Sequence, residues 1–370
     1  MGLLSAVFMA TAPFHIYYSQ EVRMYSMTCF LAALSMFFFM KIEKTLIKKL
    51  KDCFSKEVIL WFVTTAFLLY SDYFGFLVLA AQALILWINR KFEFLLICLF
   101  AYLLVFIPWL PMLIAQLKTG IISTQTLPEW GKLVNLSFAK ALPLTFIKFS
   151  IGRITIFNNF AYGAVALLLA VVYLSISVKA IKEKLVIVWF LMPLALAWAA
   201  SLWVPNFQPF RLLLILPAFY LLLALGIGLL KNKRIQILAV VFILAVNLFS
   251  SLRYFLNPYF HREDWKGLVN FLKAQENPLV VLPSNTSDWP IRYYDSTNKV
   301  KLVYGSEGVN KVTGNQLQLA VIDSPKIFCV RYLVSLFDPE ERILADLEEK
   351  GYTKVKEMSF NQIEVWEYQK

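Results

Sequence analysis

Long apolar runs separated by short polar connections fill roughly the first 250 positions of the chain. A helix needs about 20 apolar residues to cross the roughly 30 Å hydrocarbon core of a bilayer. Several of the runs approach that length, so the pattern predicts a polytopic helical membrane protein with about nine spans. The predicted spans are 2–16, 24–40, 57–71, 73–89, 93–115, 159–178, 185–204, 210–230 and 235–252.

Composition favours the same class of protein. Hydrophobic residues make up 59% of the chain and charged residues 16%, whereas about a quarter of the residues in soluble domains are charged. The four cysteines show no spacing typical of a metal site or a disulfide framework. They are Cys29, Cys53, Cys98 and Cys329.

The positive charge indicates how the chain is oriented. The net charge is +12, and much of the excess lies in short loops between the predicted spans rather than in one nucleic-acid-binding patch. Cytoplasmic loops are enriched in Lys and Arg, so four loops with 14 such residues are predicted to be cytoplasmic. Their basic residues are Lys41, Lys44, Lys48, Lys49, Lys51 and Lys56; Arg90 and Lys91; Lys179, Lys182 and Lys184; and Lys231, Lys233 and Arg234.

The opposite, outer side of the inner membrane then receives the other connections and the C-terminal part of the chain. The stretch 116–158 mixes prolines, lysines and aromatics such as Trp130, which is typical of a partly helical segment at the headgroup level. A solvated connecting loop is the alternative. The span interiors contain almost no charged residues, which argues against a proton-coupled transporter.

A second domain is predicted over 253–370, after a membrane domain over 1–252. Charged residues become frequent there, and helical and strand patterns alternate, as expected for a small α/β fold. No Gly-rich strand-to-helix turn supports nucleotide binding. The predicted helices cover 263–275 and 338–351, a helix or turn covers 288–296, and the strands cover 278–283, 301–305, 326–332, 352–360 and 362–369.

Candidate chemistry is concentrated in the segment APFHIYYSQEVRMYS, where the first predicted span emerges on the outer side. Arginine pairs well with phosphate oxygens, and tyrosine and glutamine bond hydroxyl groups. The segment therefore suits an anionic ligand that carries a sugar, with a simple interfacial anchor as the alternative. Its candidate site residues are His15, Tyr18, Gln20, Glu21, Arg23 and Tyr25.

This segment resembles a signature of membrane glycosyltransferases. The pattern P-x-H-I-x-Y-S-Q-E-x-R-M-Y is similar to one in bacterial GT-C fold enzymes of the protein O-mannosyltransferase and aminoarabinose-transferase type. Further stretches resemble that family in the same order, and together they cover most of the chain. They are YSDYFGFLVLAAQALIL, FIPWLPMLIAQL, PFRLLLILPAFYLLLALGI and EDWKGLVNFL.

The resemblance implies transfer of a sugar from a polyprenyl-phosphate carrier to a hydroxyl of a glycan, lipid or protein acceptor. Arg23 and Arg211 would then contact the lipid phosphate, and Glu21 would order Arg23 or contact substrate rather than act as the principal base. Asp72 and Tyr73 are candidate ligand contacts, with a plain turn as the alternative for Asp72. No cofactor is identified, no residue is assigned to a metal, and a divalent-metal requirement is left open.

The chain departs from the family at its start. Family members begin with two more helices and an acidic outer loop that supplies the catalytic base, and this sequence starts at the equivalent of the third helix. We therefore expect a fragment that is inactive alone. A polysaccharide or lipid exporter, a polymer ligase and a noncatalytic membrane scaffold are the alternative functions.

Overall fold

The structure is a computed structural model that describes residues 1–45, 55–126, 136–156, 158–203, 207–312 and 324–370. The chain divides into two compact units, which we describe separately. One unit comprises 1–115 and 134–256, and the other comprises 116–133 and 257–370.

Twelve α-helices precede residue 257 in the described ranges, against nine predicted spans. They are α1 (Gly2–Ala10), α2 (Pro13–Ser19), α3 (Tyr25–Thr45), α4 (Lys56–Ser71), α5 (Gly75–Ile88), α6 (Phe92–Phe106), α7 (Leu110–Thr126), α8 (Phe138–Ile151), α9 (Asn159–Ser177), α10 (Lys184–Ala200), α11 (Leu216–Gly228) and α12 (Lys233–Leu256).

Five helical stretches in the described ranges are long and apolar enough to cross a membrane, so a helical membrane protein is supported while nine spans stay a prediction. Only 22% of the most apolar stretch and 28% of the one in α12 is buried inside the protein. Their outward faces are therefore apolar and suited to contact lipid. The five are Tyr25–Glu43, Phe92–Ile122, Asn159–Ala180, Pro209–Gly228 and Lys233–Leu256.

The single helix predicted over 2–16 is wrong, because the chain breaks between α1 and α2. Pro13 has no backbone N–H and begins α2, and the Ala12 N–H turns to Met9 O instead of Phe8 O. Asn247 of α12 donates from Nδ2 to the released Phe8 O at 3.2 Å. The Thr11 hydroxyl also donates to Phe8 O at 3.1 Å, so two side chains satisfy the polar group that the break exposes.

The predicted span 93–115 also ends too early. After α6, a 3-10 turn at Ile107–Trp109 leads into α7, which continues to Thr126. The first part of the predicted headgroup-level stretch is therefore helix. Its residues 127–135, with Trp130, lie outside the described residues, and α8 follows.

The helix α11 is the most buried of the five long apolar stretches. A 3-10 turn at Pro209–Ile215 leads into it, and 72% of this stretch is buried. Gly226 lets α11 approach α9 closely, since a Cβ at this position would meet the backbone carbonyl of Ile176. The chain therefore enters α11 from a buried turn that carries Arg211.

The unit that contains 257–370 includes the predicted small sheet. Its strand order is β2-β1-β3-β5-β4, with the first three strands parallel and the last two added antiparallel. Alternate residues of β1 face two separate cores: Val280 packs with α13, and Val281 packs with α16. The elements are α13 (Trp265–Lys273), β1 (Leu279–Leu282), α14 (Trp289–Tyr294), β2 (Lys301–Tyr304), β3 (Lys326–Val330), α15 (Val334–Phe337), α16 (Arg342–Glu349), β4 (Thr353–Ser359) and β5 (Glu364–Gln369).

Candidate functional site

The turn between α2 and α3 holds the densest group of candidate residues. The chain leaves α2 at Ser19, and α3 begins at Tyr25, whose side chain is buried. The Tyr25 ring lies 5.3 Å from the Tyr18 ring and 5.2 Å from the Phe210 ring, measured between centroids. Three separate segments of the chain therefore meet at one aromatic cluster.

Four charged side chains surround this cluster. Arg23, Arg211, Glu21 and Asp72 all act electrostatically on the hydroxyl of Tyr25. We call this group the rim cluster, and it consists of Tyr18, Glu21, Arg23, Tyr25, Asp72 and Arg211.

Arg211 is the most constrained cation of the rim cluster. Its Cζ lies 5.7 Å from the centroid of the Phe74 ring and 5.9 Å from that of Phe210. Its Nε is buried and has no hydrogen-bond partner among the described residues. A buried guanidinium nitrogen without a partner is costly, so this position favours a bound anion.

Arg23 lies at the exposed side of the same cluster. Its Cζ is 5.6 Å from the centroid of the Tyr25 ring. Neither Arg23 nor Arg211 forms an ion pair within 4.0 Å with a carboxylate in the part of the chain that the structure describes. Both guanidinium groups therefore keep hydrogen-bonding capacity for a ligand.

Asp72 ends α4 and is held by the backbone of the following turn. Its Oδ1 accepts a hydrogen bond from the Phe74 N–H at 3.0 Å. Burial raises the pKa of the Asp72 carboxyl above its ordinary value, although the Phe74 N–H and Arg211 oppose this effect. A half-buried carboxyl with a raised pKa beside a cation is suited to proton transfer.

Three further predicted site residues have contacts outside the rim cluster. His15 lines an apolar cavity of about 560 Å³ together with Cys29 and Trp189. Gln20 accepts a hydrogen bond from the Tyr254 hydroxyl at 3.2 Å. The Tyr73 hydroxyl accepts one from Trp109 Nε1 at 3.0 Å.

Sequence reasoning missed Arg153, which contacts Tyr18, and Lys148, which interacts electrostatically with Arg153. Arg153 donates to the Tyr18 hydroxyl at 3.4 Å and also interacts with Glu21. The signal in the sequence was a Gly-Arg pair after a helical pattern, which by itself does not indicate a site.

No group of three or more metal-ligating side chains occurs in the ranges that the structure describes. Comparison of the chain with protein-family models, curated proteins and solved structures finds no match. The family resemblance therefore depends on the sequence motifs, and the geometry of the rim cluster is independent of it.

Proposed function

We propose that the chain is a membrane glycosyltransferase, or a fragment of one, that uses a sugar carried on a polyprenyl phosphate. The observation that carries this proposal is the buried Nε of Arg211, which has no hydrogen-bond partner within the described ranges. Arg23 adds a second guanidinium beside the same tyrosine. Two such groups suit the oxygens of one phosphate.

The proposed chemistry uses a carboxylate and two guanidinium groups of the rim cluster. The acceptor hydroxyl attacks the anomeric carbon and gives its proton to a carboxylate, for which Asp72 is our first candidate. The bond between the anomeric carbon and the phosphate oxygen breaks, and its electron pair stays on that oxygen. Arg23 and Arg211 stabilise the charge that develops on the phosphate.

The proposed topology puts the rim cluster on the outer side of the inner membrane. It follows from the basic loops of the sequence at 41–56, 90–91, 179–184 and 231–234, which the positive-inside rule assigns to the cytoplasm. The turn after α2 and the turn after α4 alternate with those loops along the chain. The C-terminal unit would then be extracytoplasmic.

Photo-crosslinking of the full chain in detergent with a polyprenyl phosphodiester probe tests the phosphate site directly. We expect Arg211→Ala to reduce capture of the probe by about tenfold or more, because a charged hydrogen bond contributes about 1.5–3 kcal/mol. Arg23→Ala should reduce capture less, since this side chain is exposed.

Arg90→Ala is the matched control, because Arg90 is also exposed but lies in a basic loop of the other predicted side. If Arg211→Ala and Arg23→Ala capture the probe as well as the parent protein and Arg90→Ala do, the phosphate site is contradicted. It would favour a noncatalytic scaffold or an exporter whose lipid contacts lie elsewhere.

A further inference from the structure

The backbone conformation of the preceding residue, Gly152, determines the position of Arg153. The helix α8 ends at Ile151, and Gly152 follows with a positive φ of 68°. A Cβ at Gly152 would lie 3.0 Å from Pro13 Cβ and 3.1 Å from the Pro13 carbonyl carbon. Only glycine combines this conformation with such a close approach to the start of α2.

The approach brings Arg153 over the aromatic face of α2. Its Cζ lies 4.9 Å from the centroid of the Tyr17 ring, and its Nη1 donates to the Tyr18 hydroxyl at 3.4 Å. Burial raises the pKa of Tyr18 to about 12, so this hydroxyl stays neutral. Tyr18 therefore orients the guanidinium without cancelling its charge.

Lys148 is a second cation near Arg153. It lies three residues before the end of α8, and the two side chains repel each other electrostatically. Burial, with a further contribution from Arg153, lowers the pKa of Lys148 to about 8. In a partly buried position, each of two like charges disfavours the charged form of the other, and a bound anion would offset this repulsion.

No side chain of the described residues supplies that anion at contact distance. Glu21 influences Arg153 electrostatically, but no carboxylate in the described ranges lies within 4.0 Å of the guanidinium of Arg153 or the ammonium of Lys148. The two positive charges therefore have no carboxylate in direct contact among the described residues. This arrangement is typical of an oxyanion site.

We propose that Arg153 and Lys148 form a second oxyanion subsite beside Tyr17 and Tyr18, whereas Arg211 lies beside the rings of Phe74 and Phe210. Its ligand carries a phosphate or carboxylate group. Assignment of that group to the acceptor depends on the proposed transferase function, whereas the subsite itself does not. The acceptor would then be an anionic molecule, bound at a subsite distinct from that of the carrier phosphate.

Isothermal titration of the full chain in detergent with inorganic phosphate, and separately with acetate, tests the subsite. We expect Arg153→Ala and Lys148→Met each to weaken phosphate binding by about tenfold. Lys148→Arg should retain it, which excludes misfolding as the cause. Lys140→Ala, an exposed lysine of the same helix, should have no effect.

A second titration is made with the polyprenyl phosphodiester already saturating. Phosphate should still bind, because the two anions occupy separate subsites. Loss of phosphate binding under saturation, or an unchanged affinity in Arg153→Ala, would overturn the proposal. If the lipid probe does not bind but phosphate binding still requires Arg153, the second subsite stands and the proposed transferase function fails.

Discussion

Burial and two neighbouring groups determine the charge of Asp72, and the balance between them gives a testable pH dependence. Burial favours the neutral carboxyl and raises its pKa, while the Phe74 N–H and Arg211 favour the carboxylate. Protonation removes a negative charge beside Arg211. We therefore expect the affinity for a polyprenyl phosphodiester, whose phosphate does not titrate in this range, to increase as the pH falls through the raised pKa of Asp72.

Asp72→Asn isolates this effect, because it removes the titrating group and keeps the shape of the side chain. The variant should bind the probe more tightly than the parent protein at neutral pH. Its binding should also vary less between pH 4 and pH 7. Identical pH profiles for the two proteins would mean that Asp72 does not influence the phosphate site.

Single residues also explain how much of the site could be predicted. Glu21, Arg23 and Tyr25 were accessible to sequence reasoning because they follow one another within a distinctive segment. Arg153 was not, since its role depends on the positive φ of Gly152 and on contact with a segment 135 positions earlier. His15, in the same helix as Tyr18, lines an apolar cavity.

The contact between α9 and α11 gives a prediction for whole helices. Gly226→Ala would bring a methyl group against the Ile176 carbonyl, which cannot move without disturbing α9. We expect a loss of about 1–3 kcal/mol in stability, which is typical of overpacking, measured as a lower thermal midpoint in detergent. Gly163→Ala in α9 is the control, because nothing lies within 4 Å of its Cβ position.

We expect Asn247 to stabilise the structure at the break between α1 and α2. Its side chain donates to Phe8 O at 3.2 Å and to Thr11 Oγ1 at 3.1 Å, and its Oδ1 accepts from the Tyr220 hydroxyl at 3.2 Å. Asn247→Ala should cost about 1–3 kcal/mol by removing these three hydrogen bonds, although Phe8 O keeps the Thr11 hydroxyl and the Tyr220 hydroxyl keeps Phe149 O as partners. Asn89→Ala, at an exposed hydrogen bond to Glu43, should change the thermal midpoint little.

Helix positions were more predictable than helix ends. Apolar length alone placed α3, α9 and α12 within a few residues, because lipid-facing helices need a continuous apolar run. The break at Pro13 was missed because apolar residues continue through it. The pattern of hydrophobicity does not report which carbonyl Asn247 will reach from a helix more than 200 positions later.

At the scale of the whole molecule, lipid and water favour different patterns of hydrophobic residues along the chain. Continuous apolar runs form the helical unit, whereas alternating residues form the sheet, with Val280 and Val281 of β1 facing separate cores. These patterns were sufficient to predict a membrane part and a small C-terminal α/β part. They contain no information about the strand order, which depends on long-range pairing between β1, β3 and β5.

Within the C-terminal unit, we expect acid to destabilise the structure around β2. Burial acts to raise the pKa of Asp295, but hydrogen bonds from the Val300 N–H and the Thr297 hydroxyl, each 2.8 Å long, outweigh it and hold this pKa below its ordinary value. Val300 leads directly into β2. A depressed folded-state pKa contributes stability that is present above the unfolded value of about 4 and is lost as the pH falls through the folded value.

Hydrogen exchange of the full chain in detergent, corrected for the intrinsic effect of pH, measures this loss. Peptides that cover β2 should keep their protection down to pH 4 and lose it below, while peptides from α11 should not change over the same range. Asp295→Asn should expose β2 at every pH tested, because the amide is a weaker acceptor than a carboxylate for the Val300 N–H. Glu357→Gln, at an exposed ion pair with Lys354, should leave β2 unchanged, and equal protection in the two variants would show that Asp295 does not hold the entry to this strand.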